Sequence, residues 1–402
     1  MSLSALETRL RDLIAARRDS MLADLTALVR IPTGYNHAPG LDETRGILTA
    51  RLAALGASLD LIPGDPKPDW IDPDAFATGS PPSTAVARRP RGEGPRVLLG
   101  GHLDTVHDPR GAFDRLTLGD NGEIARGPGA ADMKGGLLIA IVALEAIDEA
   151  GVPLSWGFFL NSDEETGSYH SDAALRRIAK EYDAGLIFEP ALPDGSLVVE
   201  RPGSGQFQVR TTGVPAHVGR DFRKGVSAIV GMADCIKSIS DMADPDRGLI
   251  ASVGVVRGGK ATNIVPDECT AWGNVRFRDP AIASEIATRF DDLARPHAVA
   301  GVHVRYSFNR PAKPLIPGTR ALATLAQAAA ADLGQPLPFG VTGGVCDGNN
   351  LQSVGLPTID TLGVRGGGLH TIEEWVEVAS LVERAQLTAV LLARLAEGRL
   401  QT

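Results

Sequence analysis

The sequence predicts an α/β protein whose mixed, mainly parallel sheet is flanked by helices and whose chain is interrupted by a small ferredoxin-like α+β domain. Two observations lead to this architecture. Apolar runs of strand length alternate with helical patterns over residues 96–188, which is typical of a largely parallel sheet. Residues 206–308 instead follow the order βαββαβ, the split βαβ pattern of ferredoxin-like domains. We therefore expect residues 1–205 and 313–402 to form one domain, with residues 206–312 inserted as a second.

The elements before the insertion follow from periodicity and from turn residues. Apolar residues at helical spacing predict two helices over residues 3–29, interrupted near Asp19 and Ser20. Six prolines between positions 66 and 90 predict a long surface loop over residues 64–94, with one short strand at 84–87. The remaining predicted elements are strands at 96–100, 155–160 and 186–188 and helices at 135–149 and 171–182.

The insertion and the last part of the chain are predicted in the same way. The inserted domain is expected to contain strands at 206–211, 250–256, 268–278 and 303–308 and helices at 226–242 and 281–294. After it, the α/β pattern resumes with a helix at 319–333, a strand near 358–362 and a terminal helix at 373–395.

The composition argues against several classes of protein. The chain carries 40 basic and 49 acidic residues, and its net charge of -9 would repel nucleic acid and anionic membrane surfaces. No apolar run is long enough to span a membrane, and the first twenty residues do not resemble a signal peptide. Three widely spaced cysteines indicate neither a disulfide framework nor a thiolate zinc site. We therefore expect a cytoplasmic protein that binds neither nucleic acid nor membranes.

A histidine and an aspartate end the first strand of the alternating region. His102 and Asp104 follow an apolar strand, and residues two apart lie on the same face of an extended chain. A histidine that binds metal usually gives its second nitrogen to a carboxylate or a carbonyl, which suits Asp104. A capped strand end is the alternative for this pair.

Further acids and one histidine recur at places where strands end or helices begin. Asp132 lies among glycines just before an apolar helix, where a helix cap is the alternative. Glu164 and Glu165 follow a strand within a run of three acids, where a solvated turn is the alternative, and Glu189 follows the next strand. His370 follows three glycines, which allow the backbone to approach a site closely.

Together these positions predict a metal centre. These residues fall at five places along the chain, each with at least one His, Asp or Glu. We interpret the five places as ends of successive strands of one sheet, because ligands of α/β sheets collect at carboxyl ends. The ligand set contains nitrogen and oxygen without sulfur, which favours zinc, manganese or cobalt. Two metals that share a carboxylate would explain why so many acids are grouped.

Several motifs resemble a known enzyme family. They are GGHLDTV, GPGAADMKGG, NSDEETGS, FEP, GVPAHVGRDFRKGVSAI, GGKATNIVP, VRFRD and GGGLH, which run from about residue 97 to residue 370. In type and order they are similar to those of the di-zinc exopeptidases and amidohydrolases: glutamate carboxypeptidases, aminoacylases and succinyl-diaminopimelate desuccinylases. The likeness is greatest to the glutamate carboxypeptidase branch, which has a glutamate where this chain has Glu189. The resemblance implies a zinc exopeptidase-like catalytic domain and identifies residues 206–312 as a lid and dimerisation domain.

The resemblance also implies roles for individual metal-site residues. It implies two divalent metal ions, zinc first and cobalt or manganese as alternatives. His102 and Glu189 would bind one ion, and Glu165 and His370 would bind the other. Asp132 would bridge the two ions.

Five further roles come from the same resemblance. Asp104 would orient His102, and Glu164 would be the general base on the bridging water. His217 of the lid would reach a neighbouring subunit's active site and hold the oxyanion there, which implies a homodimer. Asn263 and Arg276 would grip the substrate carboxylate.

Two departures from the family pattern concern the substrate. This chain reads Gly-Gly-Val-Cys-Asp-Gly over residues 343–348, where relatives have Gly-Gly-Gly-Thr-Asp-Ala. For Cys346 we consider both a thiol in place of a substrate-facing hydroxyl and a small apolar filler, and we favour the filler over a nucleophile. The Pro-rich stretch over residues 65–82 is longer than in relatives. For Arg365 we consider both recognition of an acidic side chain and a surface role.

The sequence therefore predicts a metal-dependent hydrolase that cleaves the amide bond of an N-acyl amino acid or the C-terminal residue of a peptide. A dipeptidase or an N-carbamoyl amidohydrolase of the same family is the nearer alternative. A catalytically silent binding protein with this fold is the more distant one. Intact Glu164, His217 and His370 argue against it, since a decayed site would have lost at least one of them.

Overall fold

The computed structural model describes residues 2–34, 37–73, 80–91, 94–294 and 301–400. The helices are α1 (Ala5–Ala15), α2 (Arg18–Val29), α3 (Ala38–Ala54), α4 (Gly135–Glu149), α5 (Asp172–Ala179), α6 (Ala228–Ser240), α7 (Pro280–Leu293), α8 (Pro317–Asp332), α9 (Asp347–Ser353) and α10 (Val378–Ala396). Short helical turns lie at Ala130–Lys134, Phe222–Lys224 and Pro245–Arg247.

The strands are β1 (Ser58–Ile62), β2 (Thr84–Arg89), β3 (Arg96–His102), β4 (Thr117–Leu118), β5 (Ile124–Arg126), β6 (Ser155–Asn161), β7 (Ala184–Ile187), β8 (Leu197–Glu200), β9 (Gly203–Thr212), β10 (Ala216–His217), β11 (Leu249–Gly258), β12 (Ile264–Val265), β13 (Glu268–Phe277), β14 (Gly301–Arg310), β15 (Phe339–Val341), β16 (Thr358–Ile359), β17 (Gly366–Gly367) and β18 (Trp375–Glu377).

A six-stranded sheet forms the centre of the larger part of the molecule. Its strand order is β1-β2-β6-β3-β7-β16. The pairs β6–β3, β3–β7 and β7–β16 are parallel, whereas β1–β2 and β2–β6 are antiparallel. The prediction of a mixed, mainly parallel sheet is therefore confirmed. Because β3, β6 and β7 run in the same direction, their carboxyl ends meet at one edge of the sheet.

Both faces of this sheet are buried under helices. On β3, Val97 and Leu99 belong to the main core with α4 and α10, while Leu98 between them packs with α5 and α9. Alternate residues of a strand point to opposite faces, so a strand covered on both sides is apolar throughout. Helix α4 is itself apolar around most of its circumference, because α1, α2 and α10 pack around it on the side away from the sheet.

The second sheet is antiparallel and has a core of its own. Its strand order is β11-β13-β9-β14, and helices α6 and α7 cover one face, where Phe207 and Val275 contribute to the core. The βαββαβ order of β9, α6, β11, β13, α7 and β14 is the predicted ferredoxin-like arrangement. The other face carries polar and aromatic side chains, among them Gln206, Trp272 and Arg276. We call residues 206–312 the lid; its independence as a domain stays a prediction.

Several elements differ from the predictions. The break between the first two helices lies at residues 16–17, and Asp19 and Ser20 belong to the first turn of α2, so the predicted interruption was wrong by about one turn. Helix α10 begins at Val378, because residues 375–377 pair as β18 with β5. Helix α3 and strand β1 were not predicted. In the described part of the chain, no helix is both long and apolar enough to cross a membrane.

The Pro-rich segment is also more than a surface loop. Residues 74–79 lie outside the described residues, but residues 63–73 cross to the lid and contact its sheet. The carbonyl of Trp70 accepts hydrogen bonds from Trp272 Nε1 at 2.8 Å and Gln208 Nε2 at 3.3 Å. Ile71 is only 4% exposed. The segment therefore bridges the two sheets, because its backbone carbonyls find donors on the lid.

The close packing of α4 on the strand end after β7 gives a test of the fold. A Cβ added to Gly136 would lie 1.9 Å from the carbonyl oxygen of Phe188, whereas a Cβ on Gly46 in the exposed part of α3 meets nothing within 4 Å. We expect Gly136→Ala to lower the free energy of unfolding, measured by urea denaturation. Gly46→Ala is expected to raise it by roughly 0.5–1 kcal/mol, because alanine is the better helix former. A stable Gly136→Ala protein would contradict this packing.

Candidate active site

Five predicted metal-site residues converge at the carboxyl edge of the central sheet. His102 ends β3, Glu165 follows β6, and Glu189 follows β7. Asp132 comes from the helical turn before α4, and His370 comes from the turn between β17 and β18. The expectation that all five lie at ends of successive strands was thus right for three of them and wrong for two, which lie in loops held against the same edge.

The distances place Asp132 between the two histidines. His102 Nε2 lies 3.1 Å from Asp132 Oδ1, and His370 Nε2 lies 3.4 Å from Asp132 Oδ2. His102 Nε2 is also 3.9 Å from Glu189 Oε1, and His370 Nε2 is 3.2 Å from Glu165 Oε2. Ligand atoms of His102, Asp132 and Glu165 all lie within 4.8 Å of one another. Each oxygen of Asp132 therefore faces a different histidine, each with its own second carboxylate.

The crowding of acids shifts their proton affinities. Burial raises the pKa of Glu165 to about 7, and burial together with the neighbouring Asp132 raises the pKa of Glu189 well above its ordinary value. Hydrogen bonds to Asp132 and Glu165 raise the pKa of His370 to about 10. Carboxylates held close together in a buried space repel one another. A positive charge between Asp132, Glu165 and Glu189 therefore stabilises the cluster.

Two carboxylate oxygens in this cluster lack protein partners. Oε1 of Glu165 and Oε1 of Glu189 are buried and accept no hydrogen bond from the described residues. Buried polar atoms are normally paired, so each such atom calls for an explanation. Metal ligation would satisfy both oxygens, and a donor set of imidazole nitrogen and carboxylate oxygen suits zinc, cobalt or manganese. The residues present therefore fit a centre of divalent metal ions.

Asp104 joins the histidine strand to the acidic turn after β6. Its backbone carbonyl lies 2.9 Å from His102 Nδ1, while its carboxylate is 3.5 Å from the same nitrogen. The carboxylate accepts the backbone N–H groups of Glu164 at 3.2 Å and Glu165 at 2.9 Å. The predicted orientation of His102 thus comes chiefly from the carbonyl, because the carboxylate is engaged in holding the turn.

Arg310 is a site residue that the sequence did not reveal. It ends β14 of the lid and is 2% exposed. Its Nη1 donates to Oε1 of Glu164, and its Nη2 donates to the carbonyl of Glu164 at 2.8 Å and to Ser168 Oγ at 2.7 Å. The side chain therefore links the lid directly to the turn that carries Glu164 and Glu165. An arginine at the end of a polar strand has no distinctive pattern, so no signal pointed to it.

A cleft of about 830 Å³ opens above the cluster and is bounded by the lid. Arg276 lies in its wall, where Nη1 donates to Ser204 Oγ and to Asn274 Oδ1 at 2.7 Å. Both acceptors are neutral. Burial, and then the nearby Arg310 cation, lower the pKa of Arg276. Lys67 and Ile71 of the Pro-rich segment also line the cleft.

Two residues for which the sequence left alternatives open, Cys346 and Arg365, do not line the cleft. Cys346 is fully buried at the start of α9, and burial raises the pKa of its thiol well above the ordinary value. Of the two interpretations of Cys346, the buried filler agrees with the structure and the substrate-facing thiol does not. Gly344 and Val345 line the cleft, whereas Cys346 does not. Arg365 pairs with Glu377 and Glu383, each at 2.7 Å, and these contacts assign it a structural role.

His217 and Asn263 lie together on the lid, away from the cleft lining. Strands β10 and β12 pair so that His217 faces Ile264, and the N–H of Val218 donates to the carbonyl of Asn263 at 3.1 Å. Both residues are exposed. The structure therefore brings together the metal-site residues, Asp104, Glu164 and Arg276 within one chain, but it does not bring His217 or Asn263 to that site.

Comparison with known proteins defines the class. Peptidase family M20/M25/M40 matches residues 98–394, which include all ten predicted site residues. The chain belongs to this family, and it is accordingly a hydrolase of the metallopeptidase type. The family match confirms the resemblance seen in the sequence. The mixed sheet and the inserted lid are consistent with it.

Individual relatives are similar along nearly the whole chain. Carboxypeptidase G2 from Pseudomonas sp. (strain RS-16) is 28% identical over 396 residues, covering 94% of this chain and 90% of that protein. Succinyl-diaminopimelate desuccinylase from Methylobacterium nodulans is 28% identical over 409 residues, covering 92% of this chain and 94% of that protein. The crystal structure of a tripeptidase from Staphylococcus aureus superposes with a TM-score of 0.75 at 25% identity, covering 94% of this chain and 99% of that one.

Proposed function

We propose that this enzyme hydrolyses the amide bond of an N-acyl amino acid or releases the C-terminal, glutamate-like residue of a peptide or conjugate. The observation that carries the proposal is the convergence of two histidines and two glutamates around Asp132. Glu164 and Arg276 line the same cleft. The similarity to carboxypeptidase G2 and to desuccinylases supports amide substrates that bear a carboxylate. Dipeptides and N-carbamoyl amino acids belong in the same substrate screen as the nearer alternatives.

The five side chains divide naturally into two sites. We assign His102 and Glu189 to one ion and Glu165 and His370 to the other, with Asp132 between them, since each carboxylate lies nearest the histidine it would share an ion with. Zinc is our first assignment, and cobalt or manganese fits the same donors. Two divalent cations bound there would polarise the scissile carbonyl and acidify the attacking water.

Glu164 is our candidate for proton transfer. It lies next to Glu165 on the turn held by Asp104, and Arg310 fixes one of its oxygens. These contacts with Arg310 hold the Glu164 carboxylate in one position, and a carboxylate is the group that accepts a proton in such a step. We assign Glu164 to take the proton from the attacking water and to pass it to the leaving nitrogen, which must be protonated for the amide to break.

Substitution of Glu164 tests this assignment. We expect Glu164→Gln to retain about two metal ions per chain and to lose a factor of about 10² or more in kcat, because it removes proton transfer without removing a ligand. Elemental analysis and steady-state kinetics on N-acyl amino acids provide the measurements. Glu165→Gln is the matched comparison and is expected to lose metal. If Glu164→Gln lost the metal and Glu165→Gln kept it, the two roles would be reversed.

Arg276 is our candidate for binding the substrate's α-carboxylate. Its guanidinium lies in the cleft wall with neutral partners, and it is part of a rigid strand in the middle of the lid sheet. A guanidinium binds a carboxylate through two parallel hydrogen bonds, which orients the amide as well as binding it. Asn263 is exposed and does not line the cleft of its own chain. The asparagine that contacts Arg276 within one chain is Asn274.

Carboxylate recognition is tested by comparing an N-acyl amino acid with its α-carboxamide. The unmodified enzyme is expected to prefer the acid strongly in kcat/KM, and Arg276→Ala is expected to lose most of that preference. Arg278→Ala, two residues along and exposed, is the control and should keep it. An unchanged preference in Arg276→Ala would show that the carboxylate is bound elsewhere.

We further propose a homodimer formed through the lid. Large apolar side chains are exposed there along α6, along the edge strand β11 and around β10, with Phe222 at 65% and Val230 at 54%. Apolar exposure concentrated on one region indicates an interface. His217 and Asn263 lie within this region, so a partner subunit that packs there could receive both in its cleft, where His217 would stabilise the oxyanion.

Mixing of two inactive variants tests this arrangement. A heterodimer of His217→Ala and Glu164→Gln chains contains one site with both groups intact if His217 acts on the partner. We therefore expect partial recovery of activity after the two proteins are unfolded together and refolded. Each variant treated alone is the control. A dimer shown by mass spectrometry to be mixed but still inactive would mean that His217 acts within its own chain or has no catalytic role.

A further inference from the structure

A buried carboxylate outside the five metal-site residues contacts the loop that carries Asp132. The side chain of Glu374 is 1% exposed. Its Oε1 accepts the backbone N–H groups of Ala131 at 2.8 Å and Asp132 at 3.1 Å. Its Oε2 accepts the N–H of Gly129 at 2.9 Å and lies 2.6 Å from Nε2 of His107. Four donors thus share one carboxylate, which is close to its full accepting capacity.

These contacts join segments that are remote in sequence. Glu374 lies four residues after His370, in the turn that leads into β18. Its partners Gly129 and Asp132 are more than 240 residues earlier in the chain. The main chain adds a further link, because the N–H of Gly127 donates to the carbonyl of Glu374 at 3.2 Å. Glu374 therefore connects the loop that carries Asp132 with the turn that carries His370.

The conformation of the Asp132 loop requires acceptors such as those of the Glu374 carboxylate. We call this carboxylate, with the N–H groups that it accepts, the clamp. Gly129 has a φ of 68°, and a Cβ there would lie 2.6 Å from Cγ2 of Thr105, so the loop is tightly confined at its start. Residues 131 and 132 then present consecutive N–H groups to the interior, where each requires an acceptor. Glu374 supplies both acceptors, and the carboxylate of Asp132 is thereby aimed between the two histidines.

We propose that Glu374 is a positioning residue for the metal centre: it fixes the bridging carboxylate of Asp132 relative to His370, with His107 holding the opposite side of the clamp. The proposal rests on the metal-binding role assigned to these residues above. Partners that orient a ligand in this way typically change metal affinity about 10- to 100-fold when they are replaced. Glu374 is not one of the five proposed ligands, and its carboxylate contacts the backbone of residues 129–132, through which its effect would be transmitted.

The experiment measures metal binding directly on the full chain, without turnover. Metal-free protein is titrated with Co²⁺ and with Zn²⁺ against a competing chelator, and the Co²⁺ absorption spectrum reports the geometry of the ligands. Glu374→Gln is the principal variant, because an amide offers one accepting oxygen where the carboxylate offers two. Glu373→Gln is the matched control: the same change one residue earlier, on a side chain that is 71% exposed.

We expect Glu374→Gln to bind both ions about 10- to 100-fold more weakly and to alter the Co²⁺ spectrum, while Glu373→Gln matches the unmodified protein. His107→Leu removes one of the four contacts and should weaken binding in the same direction by a smaller factor. It also provides the test if Glu374→Gln does not fold. Unchanged affinity and spectrum in the folded variants, even with a lower thermal midpoint of the metal-free protein, would overturn the proposal. If the unmodified protein bound no Co²⁺ or Zn²⁺, the proposed function itself would fail.

Discussion

Mutual repulsion among Asp132, Glu165 and Glu189 is the constraint around which this protein is organised. Like charges in a buried space destabilise one another unless positive groups separate them, and here two imidazoles do so at distances of 3.1–3.9 Å. Such an arrangement persists only where the backbone cannot relax. Three of the five side chains accordingly lie at the ends of buried parallel strands. The other two, Asp132 and His370, lie in loops that Glu374 connects. A divalent cation bound there would relieve this repulsion.

Rigidity at the cluster depends on contacts between distant parts of the chain. Glu374 clamps the Asp132 loop, and the carboxylate of Asp104 holds the turn after β6 by two backbone N–H groups. Arg310 brings a lid strand to the same turn, so the geometry of Glu164 depends on where the lid lies. The carbonyl of Trp70 adds a second connection, between the Pro-rich segment and the lid sheet. The lid is thus connected to the turn that carries Glu164 and Glu165 as well as bounding the cleft.

Much of the fold and of the site could be predicted, for reasons that particular elements make clear. Helix α4 has the predicted bounds because its apolar run is bracketed by glycines and a turn, and β3 follows from five apolar or small residues in succession. The choice between the two interpretations of Cys346 required the structure, because sequence position within a loop does not tell which way a side chain points. Trp70 and Ile71 were placed in a surface loop, since prolines prevent regular structure but do not prevent burial.

The sequence by itself determined the order of most strands and helices, the residue types of the proposed metal site and the attachment of three of its five residues to strand ends. These features follow from local periodicity and from the chemistry of each side chain. Tertiary structure alone decided that Asp132 lies between two histidines, that Arg310 reaches Glu164, and that Glu374 holds a loop more than 240 residues away. Contacts of that kind leave no periodic trace along the chain, since they depend on how rigid elements pack and on which buried N–H groups then need an acceptor.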